Sequence, residues 1–281
     1  MKSGPYNCKY FRPFLKWPGG KYRLLQHLQP QFPQASLLIE PFVGAGAIFL
    51  NTDYANNWLN DINADLIGLY MHLQKEGEIF IKEAKKFFSQ KNNTPGRYYL
   101  LRDHFNQSND TYEKALLFLF LNRFGFNGLC RYNNKGIYNV PFGKYKKPYF
   151  PEIELFRFLE RSKQLQFFNV DYQEMMQKAA NHTKEAVIYC DPPYVPLSKT
   201  ANFTQYSGKI FDFTDQINLA RLSEQLAKQG KTVIISNHDL PATRLLYQKA
   251  QIFSIKVSRV ISAIAKKRIL VPELIAVFHR H

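Results

Sequence analysis

At 281 residues, with 45 % hydrophobic and 21 % charged, the chain can bury one sizeable core and is too apolar to be a disordered polypeptide. Lysine and arginine outnumber aspartate and glutamate by 38 to 22; the resulting charge of +16, with 24 Phe and 17 Tyr, favours a polyanion whose bases stack on rings over a surplus that merely aids solubility. Cys8, Cys130 and Cys190 are too widely spaced for a disulfide frame or a zinc pattern, the N-terminus lacks a signal peptide's apolar core, and the longest apolar run, Ala115 to Leu121, is too short for a bilayer, so a soluble cytoplasmic protein is expected.

In chain order, Phe14-Leu15-Lys16-Trp17-Pro18-Gly19-Gly20-Lys21 comes first. Its paired glycines admit close backbone approach to a ligand, Trp17 offers a face, and Lys16 and Lys21 offer charge. A basic turn before a helix over Tyr22 to Leu28 is the alternative. Leu37 to Phe42 reads as a strand, followed by the turn Val43-Gly44-Ala45-Gly46-Ala47. Phe49 stands where a dinucleotide loop has its third glycine, and no Lys-Ser/Thr pair follows, so the turn suits a ribose and adenine without pyrophosphate, or simple packing. Trp58 to Asn63 reads as a second strand ending in an acid, Asp61, placed either for ribose hydroxyls or to cap the next helix.

Helical periodicity then covers Leu66 to Gln74, Ile79 to Phe88, Tyr98 to Asn106 and Thr111 to Leu121, which interrupts the α/β alternation and marks an insertion. Asn122 to Asn139, with the turn Asn133-Asn134-Lys135-Gly136, reads as a β-hairpin made basic by Arg123, Arg131 and Lys135. Lys144 to Lys147 and Tyr149 extend the basic, aromatic character. Such a hairpin can enter a DNA major groove or stand solvated at the surface.

Alternation resumes with a strand at Gln166 to Val170, a helix over Asp171 to Ala179, and the apolar strand Ala186 to Cys190 ending in Asp191-Pro192-Pro193-Tyr194. The prolines carry carbonyls but no N–H, Asp191 adds an acceptor and Tyr194 a flat face. This corner suits an amino group on a planar ring, such as a nucleobase amine, unless it is an ordinary Asp-Pro-Pro turn. Leu197 to Asp212 reads as a lid, Asp215 to Lys228 as a helix, Thr232 to Asn237 as a strand, Arg244 to Ala250 as a helix, and Ile252 to Val257 and Glu273 to Phe278 as closing strands.

Taken together, these stretches closely resemble the Dam-type DNA adenine methyltransferases, which methylate N6 of adenine in GATC. The resemblance runs over nearly the whole chain, through Phe14 to Lys21, Glu40 to Gly46, Asp61 to Asn63, Asn127 to Asn133, Asn139 to Gly143, Lys146 to Pro151, Asp191 to Tyr194 and Ser236 to Asp239. It implies an α/β fold: a Rossmann-like, S-adenosylmethionine-dependent methyltransferase domain of residues 1–63 and 152–281. Residues 64–151 would form an inserted helical DNA-recognition domain carrying the hairpin.

The same resemblance implies that S-adenosylmethionine meets Trp17, Lys21, Glu40, Asp61 and Asp191 over the Gly44–Gly46 turn, while Asp191, Pro192, Pro193 and Tyr194 hold a flipped-out adenine. Lys16, Leu129, Arg131 and Pro141 would lie at base edges, with Asn127, Asn133, Tyr145, Lys146 and Lys147 also on DNA. It implies double-stranded DNA as partner and a monomer without membrane attachment or metal. Phe124 and Phe126 depart from the family's usual tyrosines, and Ile261 to Leu270 departs from its polar loop. Two other readings stay open: methylation of another planar amine or amide, such as RNA adenine or glutamine, and a DNA-binding protein that has lost its cofactor.

Overall fold

The computed structural model describes residues 9–182, 185–195, 211–260 and 268–279. The strands are β1 (Leu37–Glu40), β2 (Asn56–Asn60), β3 (Leu165–Phe168), β4 (Ala186–Cys190), β5 (Thr232–His238), β6 (Gln251–Val260) and β7 (Arg268–Phe278). They form one sheet in the order β3-β2-β1-β4-β5-β7-β6. The first five strands are mutually parallel, and β7 runs antiparallel to both β5 and β6.

Parallel central strands are buried on both faces, and the alternation of side chains divides the core accordingly. Leu38, Leu59, Val187, Tyr189 and Ile234 join the cluster on one face, while Leu37, Ile39, Ile188, Cys190, Val233 and Ile235 join the other. The helices are α1 (Leu25–Leu28), α2 (Ala64–Glu76), α3 (Glu78–Phe87), α4 (Pro95–Gln107), α5 (Thr111–Phe124), α6 (Glu152–Ser162), α7 (Tyr172–Asn181), α8 (Phe213–Lys228) and α9 (Pro241–Leu246). α1 to α6 contribute to the first cluster, whereas α7 and α8 pack on the second. Tyr70 of α2 stacks on Phe158 of α6 and Phe167 of β3, with ring centroids 5.3 and 5.6 Å apart, so the helices after β2 share an apolar core with the sheet.

Two expectations need correcting. A helix over Glu152–Ser162 joins the expected ones: Leu155, Phe158, Leu159 and Ser162 recur at helical spacing toward the core, but the exposed Ile153 and Phe156 blur that stripe in the sequence. The hairpin expected over Asn122 to Asn139 is confined to its second half, around the antiparallel bridge of Tyr132 to Tyr138; Asn122 to Phe124 belong to α5 and Phe126–Gly128 to a 3-10 turn. Backbone bonds pair the hairpin's arms, Asn133 N to Ile137 O at 3.0 Å and Asn139 N to Arg131 O at 3.1 Å, and side chains brace them from outside. Asn106 bonds both the N–H and the carbonyl of Tyr138, and Asn133 Oδ1 accepts from Lys135 N and Ile137 N. Most of the expected lid (197–210) and most of the atypical segment (261–267) lie outside the described residues.

Among the described residues no helix is long and apolar enough to cross a membrane, and no group of three or more His, Cys, Asp or Glu is placed to hold a metal. The two-faced core makes a direct expectation. Ile188→Ala, at a position with 0 % exposure, should cost about 2–5 kcal/mol in urea unfolding. Leu245→Ala, at 68 % exposure, should cost less than about 0.5 kcal/mol.

Candidate active site

In an open α/β sheet the crevice forms beyond the carboxyl ends of the strands, where the order reverses. Here that point lies between β1 and β4, so Glu40 and Asp191 end up on neighbouring strand ends. A cavity of about 480 Å³ opens there, and Trp17, Lys21, Glu40, Gly44, Gly46, Asp61 and Asp191 to Tyr194 all line it.

Its floor is the turn after β1. Gly44 and Gly46 have φ of 48° and 75°, a region that L side chains rarely adopt. A Cβ on Gly46 would lie 2.1 Å from Phe49 Cε1, and one on Gly44 2.9 Å from Trp17 Nε1. Phe49, standing where a dinucleotide loop has its third glycine, is the ring for which Gly46 makes room. Glu40 Oε1 accepts from Phe49 N at 2.9 Å, and burial holds the Glu40 carboxyl well above the usual range. Tyr70 OH donates to Gly44 O at 2.7 Å, and Asn60 Nδ2 to Pro41 O at 2.9 Å.

Asp61 follows β2 directly. Its carboxylate accepts from Gly44 N at 3.1 Å and Asn63 N at 3.0 Å, so it joins the glycine turn to the start of α2. The α2 cap is Asn63, which accepts from Leu66 N; Asp61 is therefore not spent as a helix cap. Burial raises its pKa to about 6 against the three backbone N–H groups that favour the charged form.

The upper wall is the acceptor corner. Asp191 Oδ1 pairs with Lys21 Nζ at 2.8 Å and accepts from Ser236 Oγ at 3.0 Å, while Ser236 also bonds the Tyr189 hydroxyl at 2.9 Å. Burial pushes the Asp191 pKa up, and the Lys21 charge pulls it back. Lys21 further donates to Gly19 O and lies 4.6 Å from the centre of the Tyr194 ring. Tyr194 donates to Glu273 Oε2 at 3.1 Å and meets His238 edge-on at 4.8 Å. The Pro193 carbonyl already accepts from Gln216 Nε2 at 2.7 Å. Among the described residues, Asp191 Oδ2 and the Pro192 carbonyl take no donor.

The residues expected on DNA form a second surface, which meets the cavity where Lys16 precedes Trp17. Asn122 bonds both the N–H and the carbonyl of Lys16, at 2.9 and 2.7 Å. Lys16 Nζ lies 3.9 Å over the Tyr145 ring, whose hydroxyl accepts from Asn127 N. Gly128, at φ 63°, packs on Lys16 so closely that a Cβ would fall 2.1 Å from the lysine Cβ. Burial and nearby Arg123 lower the Lys16 pKa to about 8. Arg131, Pro141, Lys146 and Lys147 are exposed, whereas Leu129, Asn133 and Tyr145 are half-buried. Phe124 lies in the core, 4.2 Å from the Phe120 ring, so a tyrosine hydroxyl lost there is not lost from the surface; Phe126 is exposed.

Residue reading had given no individual role to Ser236, Asn237, Gln216 or Tyr247. Ser236 and Asn237 do stand in the quoted Ser-Asn-His-Asp stretch, but Gln216 and Tyr247 carry no local signal.

Comparison with known proteins bears directly on this arrangement. The model of the D12 class N6 adenine-specific DNA methyltransferases matches residues 17–261. The chain belongs to that family. It is 51 % identical over 271 residues to the DNA adenine methylase of Vibrio cholerae serotype O1, covering 96 % of this chain and 97 % of that one. The DNA adenine methylase of Serratia marcescens is 49 % identical over 268 residues (95 % and 98 % covered), and that of Escherichia coli K12 is 46 % identical over 267 residues (95 % of each).

The protein is thus an adenine-specific DNA methyltransferase that places a methyl group on N6, which sets aside RNA adenine and glutamine as its substrates. The sheet agrees with the Rossmann-like expectation. For this methyltransferase the acceptor corner predicts that Asp191→Asn, nearly equal in size, lowers the single-turnover rate by about 10²–10³-fold, since an amide N–H would replace an acceptor. The circular dichroism spectrum should stay that of the parent.

Proposed function

We propose that this methyltransferase takes its methyl group from S-adenosylmethionine and acts on adenine within GATC after the base has left the duplex stack. The observation that carries the reading is the division of acceptors in the corner. Asp191 Oδ1 is committed to Lys21 and Ser236 and the Pro193 carbonyl to Gln216, which leaves Asp191 Oδ2 and the Pro192 carbonyl for a ligand amine.

The residues fit this donor. Phe49 closes on Gly46 and Trp17 on Gly44, which leaves no glycine-lined bay for a pyrophosphate. Asp61 stands at the end of β2, suited to ribose hydroxyls, while Trp17, Lys21 and Glu40 complete the lining beside Asp191. When bound, the donor would supply a sulfonium methyl group; its transfer to N6 would release S-adenosylhomocysteine, and the methylated amine would then lose one of its two protons to reach the neutral product. Adenine N6 is a weak nucleophile because its lone pair is shared with the ring. Two fixed acceptors, Asp191 Oδ2 and Pro192 O, draw its hydrogens out of plane and turn that pair toward the methyl carbon. Lys21 favours the charged form of Asp191 in its half-buried place. Tyr194 offers its ring in exchange for the stacking the base gives up.

The reading of DNA falls to residues 64–151 in this account, as a unit inserted into the catalytic residues 1–63 and 152–281. Arg131 donates its Nε–H to Asn139 Oδ1 at 2.7 Å and one Nη2–H to Asn139 O at 3.3 Å, which braces the guanidinium and leaves its outer N–H groups for guanine O6 and N7. Lys146 and Lys147 are exposed point charges next to Tyr145, which Asn93 ties down through its carbonyl, and they suit phosphates.

The test is methyl transfer and salt-dependent binding on a GATC duplex and on duplexes altered one base pair at a time. The parent should methylate GATC and bind it best. Arg131→Ala should cost about 1–3 kcal/mol on GATC and much less where the guanine is replaced, whereas Lys146→Ala should weaken every duplex alike and lower the salt slope by about one. Equal loss on all duplexes from Arg131→Ala would remove it as a base reader, and equal methylation of altered sites would remove GATC.

A further inference from the structure

Behind the acceptor corner, on the side away from the cavity, lies a buried polar set built from three separate elements. Gln216 of α8, Asn237 of β5 and Tyr247 just after α9 are exposed by 1 %, 0 % and 0 %. None of them lines the cavity. Gln216 Nε2 donates to Pro193 O at 2.7 Å, while its Oε1 accepts from Asn237 Nδ2 at 3.0 Å and from the Tyr247 hydroxyl at 3.1 Å. Two donors at one end and a carbonyl at the other leave one amide orientation that satisfies all partners. Asn237 Oδ1 in turn accepts from Val195 N at 3.2 Å and His238 N at 2.9 Å.

Two adjacent prolines have no N–H with which to anchor themselves. The segment therefore has to be fixed through its carbonyls and its ends. Ser236 and Lys21 hold Asp191 at the front, and Gln216 and Asn237 hold Pro193 O and Val195 N at the back. The Pro192 carbonyl and the Tyr194 backbone lie between these fixed points. We propose that Gln216, held by Asn237 and Tyr247, is a positioning residue for methyl transfer: by committing the Pro193 carbonyl to α8 it fixes the Pro192 carbonyl and Tyr194 against the target amine. This rests on the acceptor corner argued above. A small displacement of reacting groups costs rate out of proportion to binding, so the loss belongs in the chemical step.

The test is single-turnover methyl transfer from a preformed complex of enzyme, GATC duplex and S-adenosylmethionine, with both dissociation constants and the melting temperature measured alongside. Gln216→Leu should slow transfer about 10- to 100-fold while both dissociation constants stay within about threefold. Gln216→Glu gives a signature that a merely structural role would not. When protonated, the introduced carboxyl can donate to Pro193 O and accept from Asn237 and Tyr247, whereas the ionised form has no donor. The rate of this variant relative to the parent should therefore rise as pH falls from about 8.5 to about 6, toward parity, since burial keeps such a carboxyl protonated well above its usual range.

Tyr247→Phe, which removes one of the two donors to Gln216, should slow transfer about fivefold and covers the case in which the leucine variant does not fold. Ser223→Ala breaks a buried bond of the same helix, to Leu219 O, and should leave the rate unchanged. Parent-like single-turnover rates in Gln216→Leu, or a pH-independent ratio in Gln216→Glu, would overturn the proposal. Asp191→Ala separates the two levels. If it retains turnover, the acceptor corner itself is wrong; if it is inactive while the Gln216 variants are normal, only the positioning role fails.

Discussion

The ion pair between Lys21 and Asp191 is the constraint on which the rest depends. The Asp191 carboxylate, at the end of a central parallel strand, has lost most of its contact with water, which favours its neutral form and weakens it as an acceptor unless a charge compensates. Lys21, itself only 4 % exposed, supplies the compensation at 2.8 Å. Because that lysine precedes β1, the stretch from Phe14 to Lys21 must cross the carboxyl ends of the strands. The crossing brings Trp17 against the glycine turn and carries Lys16 to Gly128, at the start of the loop that bears Arg131. One buried lysine thereby brings the cavity and the Arg131 loop side by side.

A second set of ties runs beneath. Asn63 caps α2, receives Asp61 at its N–H and donates to Cys130 Sγ at 3.3 Å; Tyr132 donates to Asp65 Oδ2 at 2.7 Å, and Lys114 pairs with the same carboxylate. The residues after β2 are therefore bonded on one side to the glycine turn and on the other to the loop that carries Arg131. Cys130 contributes as a small buried acceptor, and burial pushes its thiol far above the range in which it would react.

Much of this was legible in the residues. Leu37-Leu38-Ile39 before Glu40 and Ala186 to Cys190 before Asp191 located β1 and β4, because parallel strands buried on both faces need such runs, and Trp58-Leu59 with the acid that follows located β2. Asp61, Gly44, Gly46 and Asp191 to Tyr194 converge on one cavity as expected from the strand ends. What escaped was decided by distant partners. In α8 the polar Gln216 is 1 % exposed while the adjacent Ile217 is 47 % exposed, an inversion that hydrophobic periodicity reads the wrong way round. Gln216 is tolerable inside only because Pro193, Asn237 and Tyr247 satisfy it, and none of them is near it in sequence. The hairpin is shorter than its turn residues suggest: Asn133 N to Ile137 O and Asn139 N to Arg131 O pair its tip, but Asn122 to Phe124 complete α5, and Asn106, on α4, takes the outward-facing N–H and carbonyl of Tyr138.

The account stands or falls on where the target amine goes. The most direct measurement is the crystal structure of the enzyme with a GATC duplex and a non-reactive analogue of the methyl donor. The predicted result is an adenine out of the stack against Tyr194, its N6 about 3 Å from both Asp191 Oδ2 and Pro192 O, with Pro193 O still bonded to Gln216. An adenine whose N6 meets neither acceptor, with the donor analogue in place, would contradict it.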